Sequence, residues 1–223
     1  MIEVYGLRYR NIGIDSLTIP PGITSVIGPN GSGKTSFLRL CSGIAEPEAG
    51  EILIDDKKPR ENDVGWVNEF PDKNILFSRA SDEIASALRF SHQPCMETNS
   101  AVLTIAETMD IMHLLDRAMR ELSGGEKVLI ALAAALVQRP KILVLDEYDS
   151  HLDETRCLQI ERVIQNSAVP YVIRCTQQME TAARGDYLLF LENGCISLSG
   201  NPARVFASLR QTLFYPLSWR CEV

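Results

Sequence analysis

Histidine is scarce in this sequence, and basic runs and long apolar stretches are absent; each shortage removes a class of function. His92, His113 and His151 are the three histidines in 223 residues. The six cysteines, Cys41, Cys95, Cys157, Cys175, Cys195 and Cys221, show no C-x-x-C spacing and no histidine pair beside them. That pattern excludes a sequence-encoded zinc site and a disulfide framework. With no secretory signal at the N-terminus, the cysteines read as reduced cytosolic thiols, mostly core filling. The net charge is −7 and no Lys/Arg run is longer than Lys57-Lys58, so nucleic acid is excluded as an expected partner. The longest apolar run, 128–137, is bounded by Lys127 and Gln138-Arg139-Pro140. It is about half of what a membrane span needs, so any membrane role is expected to be peripheral.

What is present describes a globular chain with a sizeable core: 45% apolar and 23% charged residues, without repeats or low-complexity segments. Strand-like alternation in Ile2-Glu3-Val4-Tyr5 and Ser16-Leu17-Thr18-Ile19 predicts two strands, joined by a short connection holding Asn11 and Gly13. Further strands are expected at 23–27, 51–54, 64–67, 142–145, 171–173 and 187–190. Helices are expected after residue 36, near 155–165, around Met179 and from about Pro202. From about Ser81 to Gln138 the period is helical, with Ile84, Ala87 and Leu88 on one face and Val102, Ile105, Met109 and Met112 on another. The simplest architecture is an α/β core, about 1–75 and 139–223, with a helical subdomain at about 76–138.

The chemistry centres on Gly28-Pro29-Asn30-Gly31-Ser32-Gly33-Lys34-Thr35-Ser36, which follows an apolar strand and opens a helix. Residues 28–35 match G-x-x-x-x-G-K-T, whose glycines let successive backbone N–H groups turn inward on a phosphate. The helix adds the positive end of its dipole. An accidental match of four fixed positions occurs in about one in a hundred chains of this length, so the loop points to a nucleoside triphosphate. In this reading Lys34 reaches the β and γ phosphates and Thr35 binds magnesium. The apolar run 142–145 ends in Asp146 and Glu147, the place where α/β sheets put ligand-handling groups; the alternative is a plain helix N-cap. Asp146 would join the magnesium shell, and Glu147 would act as general base on the attacking water. Between these elements, Leu122-Ser123-Gly124-Gly125-Glu126 reads as a capping box. The two glycines after the cap weaken a helix and are needed only where something, most simply a phosphate, comes close.

These motifs, with Ser150-His151-Leu152-Asp153 after them, resemble in content and order the Walker A, signature, Walker B and D-loop motifs of ATP-binding-cassette ATPases. The resemblance covers essentially the whole chain and implies a P-loop core with an antiparallel β region and an inserted helical subdomain. It also implies ATP and Mg2+ as ligands, and head-to-tail pairing with a second cassette chain. Ser123, Gly124 and Gly125 would then face the nucleotide on the partner's phosphate loop. Val64-Gly65-Trp66-Val67-Asn68-Glu69-Phe70-Pro71-Asp72, followed by Leu76-Phe77, is similar to the corresponding stretch of energy-coupling-factor and cobalt-type importers. That implies separate transmembrane subunits and a position on the cytoplasmic face of a membrane.

The chain departs from the family pattern at several points. Glu69 stands where a glutamine that binds magnesium and water is usual, and Gln177 where a histidine is usual. Tyr148-Asp149 replaces Pro-Thr. The aromatic that stacks on adenine aligns near Asn11, with Tyr9 the nearest substitute, unless Tyr9 is an ordinary strand residue. Gln177 donates a hydrogen bond but carries neither charge nor proton, so the resemblance implies binding with slow hydrolysis. A non-transport cassette ATPase acting on ribosomes or in repair is the alternative. It is disfavoured by the single cassette, the lack of a coiled coil and the acidic charge. An adenylate-type kinase would leave residues 123–125 and 146–147 unexplained.

Overall fold

The computed structural model describes residues 1–70, 72, 75–150 and 152–221; Pro71, His151 and the side chain of Cys221 lie outside the described residues. Strand β1 (Ile2–Tyr9) pairs antiparallel with β2 (Ile12–Ile19). Along β1 the buried side passes from Val4 to Leu7, a step of three, because Gly6 takes φ 55° where the pairing to the next strand shifts register. The connection is shorter than expected. Arg10, at φ 52°, and Asn11 make the turn, and Gly13 lies inside β2, paired with Arg8.

Strand β3 (Gly22–Ile27) leads into α1 (Lys34–Cys41), and β4 (Ala49–Ile54) returns to the free edge of β1. The result is a three-stranded antiparallel sheet ordered β2-β1-β4. The larger sheet adds β5 (Val64–Val67), β6 (Ile142–Asp146), β7 (Tyr171–Cys175), β8 (Tyr187–Glu192) and β9 (Cys195–Gly200). Its order is β5-β6-β7-β3-β8-β9, parallel throughout except for β9. Every residue of β6 and β7 is buried, as a strand covered on both faces requires. Ile142 and Val144 share one core with Phe37 and Leu38 of α1 and with the antiparallel sheet; Leu143 and Leu145 turn to the opposite face.

That opposite face is covered by α2 (Ala80–Phe90), α3 (Cys95–Thr108) and α4 (Gly124–Leu136), which lie between β5 and β6 in the chain, and by α5 (Glu154–Asn166). α6 (Met179–Ala183) and α7 (Pro202–Ser208) close the C-terminal end around Ile27, Leu188 and Phe206. Two expectations need correction. Met112 is 47% exposed and does not continue the α3 face, because that helix stops at Thr108 and Asp110 takes φ 58°. β9 is absent from the predicted strands because Cys-Ile-Ser-Leu-Ser-Gly is a polar edge strand with no fully buried residue. The α/β architecture with its antiparallel region and inserted helices is as expected.

Candidate functional site

A cleft of about 400 Å3 opens where β3, β6 and β7 end, lined among others by Asn30, Gly31, Lys34, Thr35, Glu147 and Gln177. Of the loop 28–33, Asn30, Gly31 and Gly33 line it, whereas Gly28, Pro29 and Ser32 do not. Gly28 has φ 146°, and a Cβ there would stand 2.0 Å from the Leu191 carbonyl oxygen, so the loop lies directly on β8 and only glycine fits. Gly33 caps α1 at φ 106° with no side-chain cap, so no side chain competes for the first-turn N–H groups. Lys34 is 5% exposed and donates to the Gly28 and Pro29 carbonyls at 3.0 and 3.1 Å. Ser32 Oγ is buried with no hydrogen-bond partner among the described residues. An uncapped helix start, a retained ammonium and an orphan hydroxyl make a cradle suited to a polyanion.

Opposite the loop, Thr35 Oγ1 donates to Asp146 Oδ1 at 3.1 Å, although the two are 111 positions apart in the chain. Burial raises the Asp146 carboxyl above the usual carboxylate range. The Thr35 hydrogen bond opposes that shift, while the charges of Glu147 and Glu69 add to it. Glu69 therefore stands close enough to be felt at Asp146. One hydroxyl, one carboxylate and crowded negative charge suit a hard divalent cation that takes its other ligands from phosphate and water. Among the described residues no cluster of three or more His, Cys, Asp or Glu is placed to hold a metal ion.

Glu147 adopts φ 47°, turning the chain sharply as it leaves β6. Its N–H donates to the Cys175 carbonyl at 3.0 Å, and Gln177 Nε2 donates to its Oε2 at 2.7 Å. Cys175 Sγ approaches Oε1 at 3.7 Å; burial pushes that thiol up, so it remains a neutral donor. Cys175 thus touches the site, although its place in an apolar strand reads as core filling. Asn11 lines the cleft and its Nδ2 donates to the Gly31 carbonyl at 3.4 Å. Tyr9 is half-buried against the core beneath β1, with the Arg10 guanidinium 5.2 Å from its ring centroid, and is not among the cleft's lining residues.

Ser123, Gly124 and Gly125 do not line this cleft. Ser123 caps α4 in the capping box expected from the sequence. Its N–H donates to Glu126 Oε2 at 2.8 Å and its Oγ accepts from the Glu126 N–H at 3.3 Å. Neither glycine is needed by its own chain. A Cβ on Gly124 meets nothing within 4 Å, and one on Gly125 makes ordinary contact with Arg156 at 3.4 Å.

The chain as a whole is similar to known proteins. The family model described as "ABC transporter" matches residues 14–150. The chain belongs to the ABC transporter family. This ABC ATPase is 33% identical over 193 residues to the energy-coupling factor transporter ATP-binding protein EcfA1 of Streptococcus mutans, covering 82% of this chain and 69% of that one. The EcfA1 of Mycoplasma mobile is 29% identical over 206 residues, covering 87% and 75%. Among solved structures, CbiO1 of Clostridium perfringens, part of the ABC transporter complex cbiONQ, superposes with TM-score 0.84 at 26% identity, covering 94% of this ABC ATPase and 93% of that chain. The dimeric, post-hydrolysis ATP-binding cassette MJ0796 with ADP and Pi has the same fold, with TM-score 0.78 at 20% identity and coverage of 91% and 99%.

Proposed function

We propose that this ABC ATPase powers a membrane transporter of the energy-coupling-factor type, docked from the cytoplasm onto separate transmembrane subunits. Among the described residues no helix is long and apolar enough to cross a membrane, so the span would come from those partners. The relatives named above are a transporter's ATP-binding protein and part of a transporter complex, which supports this reading. In it, residues 1–75 and 139–223 are the nucleotide-binding core and 76–138 the helical subdomain carrying the signature.

The observation that carries the reading is the pairing of Thr35 with Asp146 across the mouth of the phosphate loop, beside Glu147 held by Gln177. Residues 28–36 cradle the triphosphate of ATP, with Lys34 leaving its carbonyl partners for the β and γ phosphates. Thr35, Asp146 and Glu69 would hold Mg2+, which would supply charge neutralisation at the phosphates. Glu147 accepts a proton from the attacking water. Gln177 orients Glu147 but has no proton of its own to exchange, so hydrolysis at this site is slow. Ser123, Gly124 and Gly125 close over the nucleotide of a second cassette, consistent with the open space beside Gly124. For adenine stacking Tyr9 is the aromatic nearest the family position at Asn11, although it does not line the cleft.

Affinity purification of the full chain from solubilised membranes tests the assignment. Retention of a multi-span membrane protein in stoichiometric amount is expected; retention of ribosomes or nucleic acid instead would contradict it.

A further inference from the structure

Arg174 on β7 is fully buried, a costly place for a guanidinium unless its donors are met. Each of its three nitrogens has a partner: Nε donates to Ser25 Oγ at 3.0 Å, Nη1 to Glu161 Oε1 and Nη2 to the Thr181 carbonyl, while Glu161 Oε2 is left without one among the described residues. Glu161, on α5 and 3% exposed, accepts a second bond on the same oxygen from the Tyr148 hydroxyl at 2.6 Å. Burial raises the Tyr148 hydroxyl well above its ordinary pKa, so it stays a donor.

The members of this network flank the reacting groups in the chain. Tyr148 directly follows Glu147. Arg174 directly precedes Cys175, whose carbonyl accepts the Glu147 N–H, and it lies three residues before Gln177. Glu147 sits at φ 47°, a conformation a non-glycine residue keeps only when its surroundings impose it. One restraint is the Cys175 carbonyl. The other is Tyr148, which is 2% exposed and pinned through Glu161 to the same arginine.

We propose that Tyr148, Glu161 and Arg174 are positioning residues that hold the Glu147 carboxylate and the Gln177 amide in their working geometry, setting the rate of hydrolysis without touching nucleotide. The proposal rests on the reading of Glu147 as general base. An apolar trio of similar volume would fill this core as well, which leaves directed hydrogen bonding as the reason for the charges.

The test is steady-state ATPase kinetics on the full chain assembled with its membrane partners. Tyr148→Phe removes one hydroxyl and keeps the ring; kcat is expected to fall about tenfold with KM for ATP within about twofold. The double variant Arg174→Met/Glu161→Leu keeps the core filled and should show at least the same kcat loss with KM unchanged. Wild-type kcat in Tyr148→Phe overturns the proposal. So does an equal loss of kcat and of ATP affinity, which would make the network a support of the phosphate loop. A double variant that does not fold leaves Tyr148→Phe to decide. Glu147→Gln, run in parallel, separates the two readings. Persistent turnover there removes Glu147 as the base and this proposal with it; abolished turnover beside a normal Tyr148→Phe removes the positioning role alone.

Discussion

Gln177 has its amide nitrogen 2.7 Å from Glu147 Oε2, a contact in which an amide holds the carboxylate without sharing a proton with it. Replacing Gln177 with histidine should raise phosphate release by the assembled complex by about tenfold, because an imidazole there carries charge and proton. Unchanged or lower release would count against the slow-site reading. A second residue-scale expectation concerns Gly124. A methyl placed on its Cα would meet nothing within 4 Å, and its backbone is ordinary helix, so Gly124→Ala should leave the melting temperature unchanged or slightly higher. Turnover in the assembled complex should nevertheless fall by about tenfold or more, because the methyl occupies the space assigned to the partner's nucleotide. Full activity in that variant would deny the glycine its proposed role.

At the scale of elements, two carboxylates hold segments in place. Glu83 of α2 is buried, and its Oε2 accepts the backbone N–H groups of Leu76 and Phe77 at 2.9 and 2.8 Å. Glu83→Ala leaves both donors to solvent and should speed hydrogen exchange at those two amides while the β6 amides stay protected. Equal exchange in both proteins would mean that the segment is held otherwise. Asp55 takes hydrogen bonds from Lys141, the Met1 amino group and Tyr171, which hold its carboxyl well below the usual range. A depressed folded-state value contributes stability that is present above the unfolded carboxyl's pKa and lost as pH falls below it. Asp55 is 39% exposed, so the contribution is screened to about 1 kcal/mol. Asp55→Asn should therefore melt about 2 to 4 °C lower near pH 7, a gap that closes as pH drops below about 4. A gap of constant size down to low pH would rule out the charge as its origin.

For the molecule as a whole, the chemistry is easier to read than the geometry. The phosphate loop, the strand ending in Asp146 and Glu147, and the capping box at Ser123 are local patterns, fixed by neighbours in the chain, and the sequence displays them. What it does not display is long-range satisfaction of buried polar groups. Arg174 reads as a lone charge in an apolar strand until Glu161, Tyr148 and Ser25 arrive from three other elements. Cys175 reads as core until the turn at Glu147 brings a carboxylate to it. β9 is hidden for a different reason: an exposed edge strand needs no apolar face.

In the proposed function the cleft is half of a site completed by a second cassette. Sedimentation of the Glu147→Gln chain, alone and mixed with a second cassette chain, with and without ATP, is the deciding measurement. A dimer is expected that forms only with ATP and is abolished by Ser123→Arg together with the equivalent change in the partner. A chain that stays monomeric in every mixture, or a dimer indifferent to both ATP and Ser123→Arg, would contradict it.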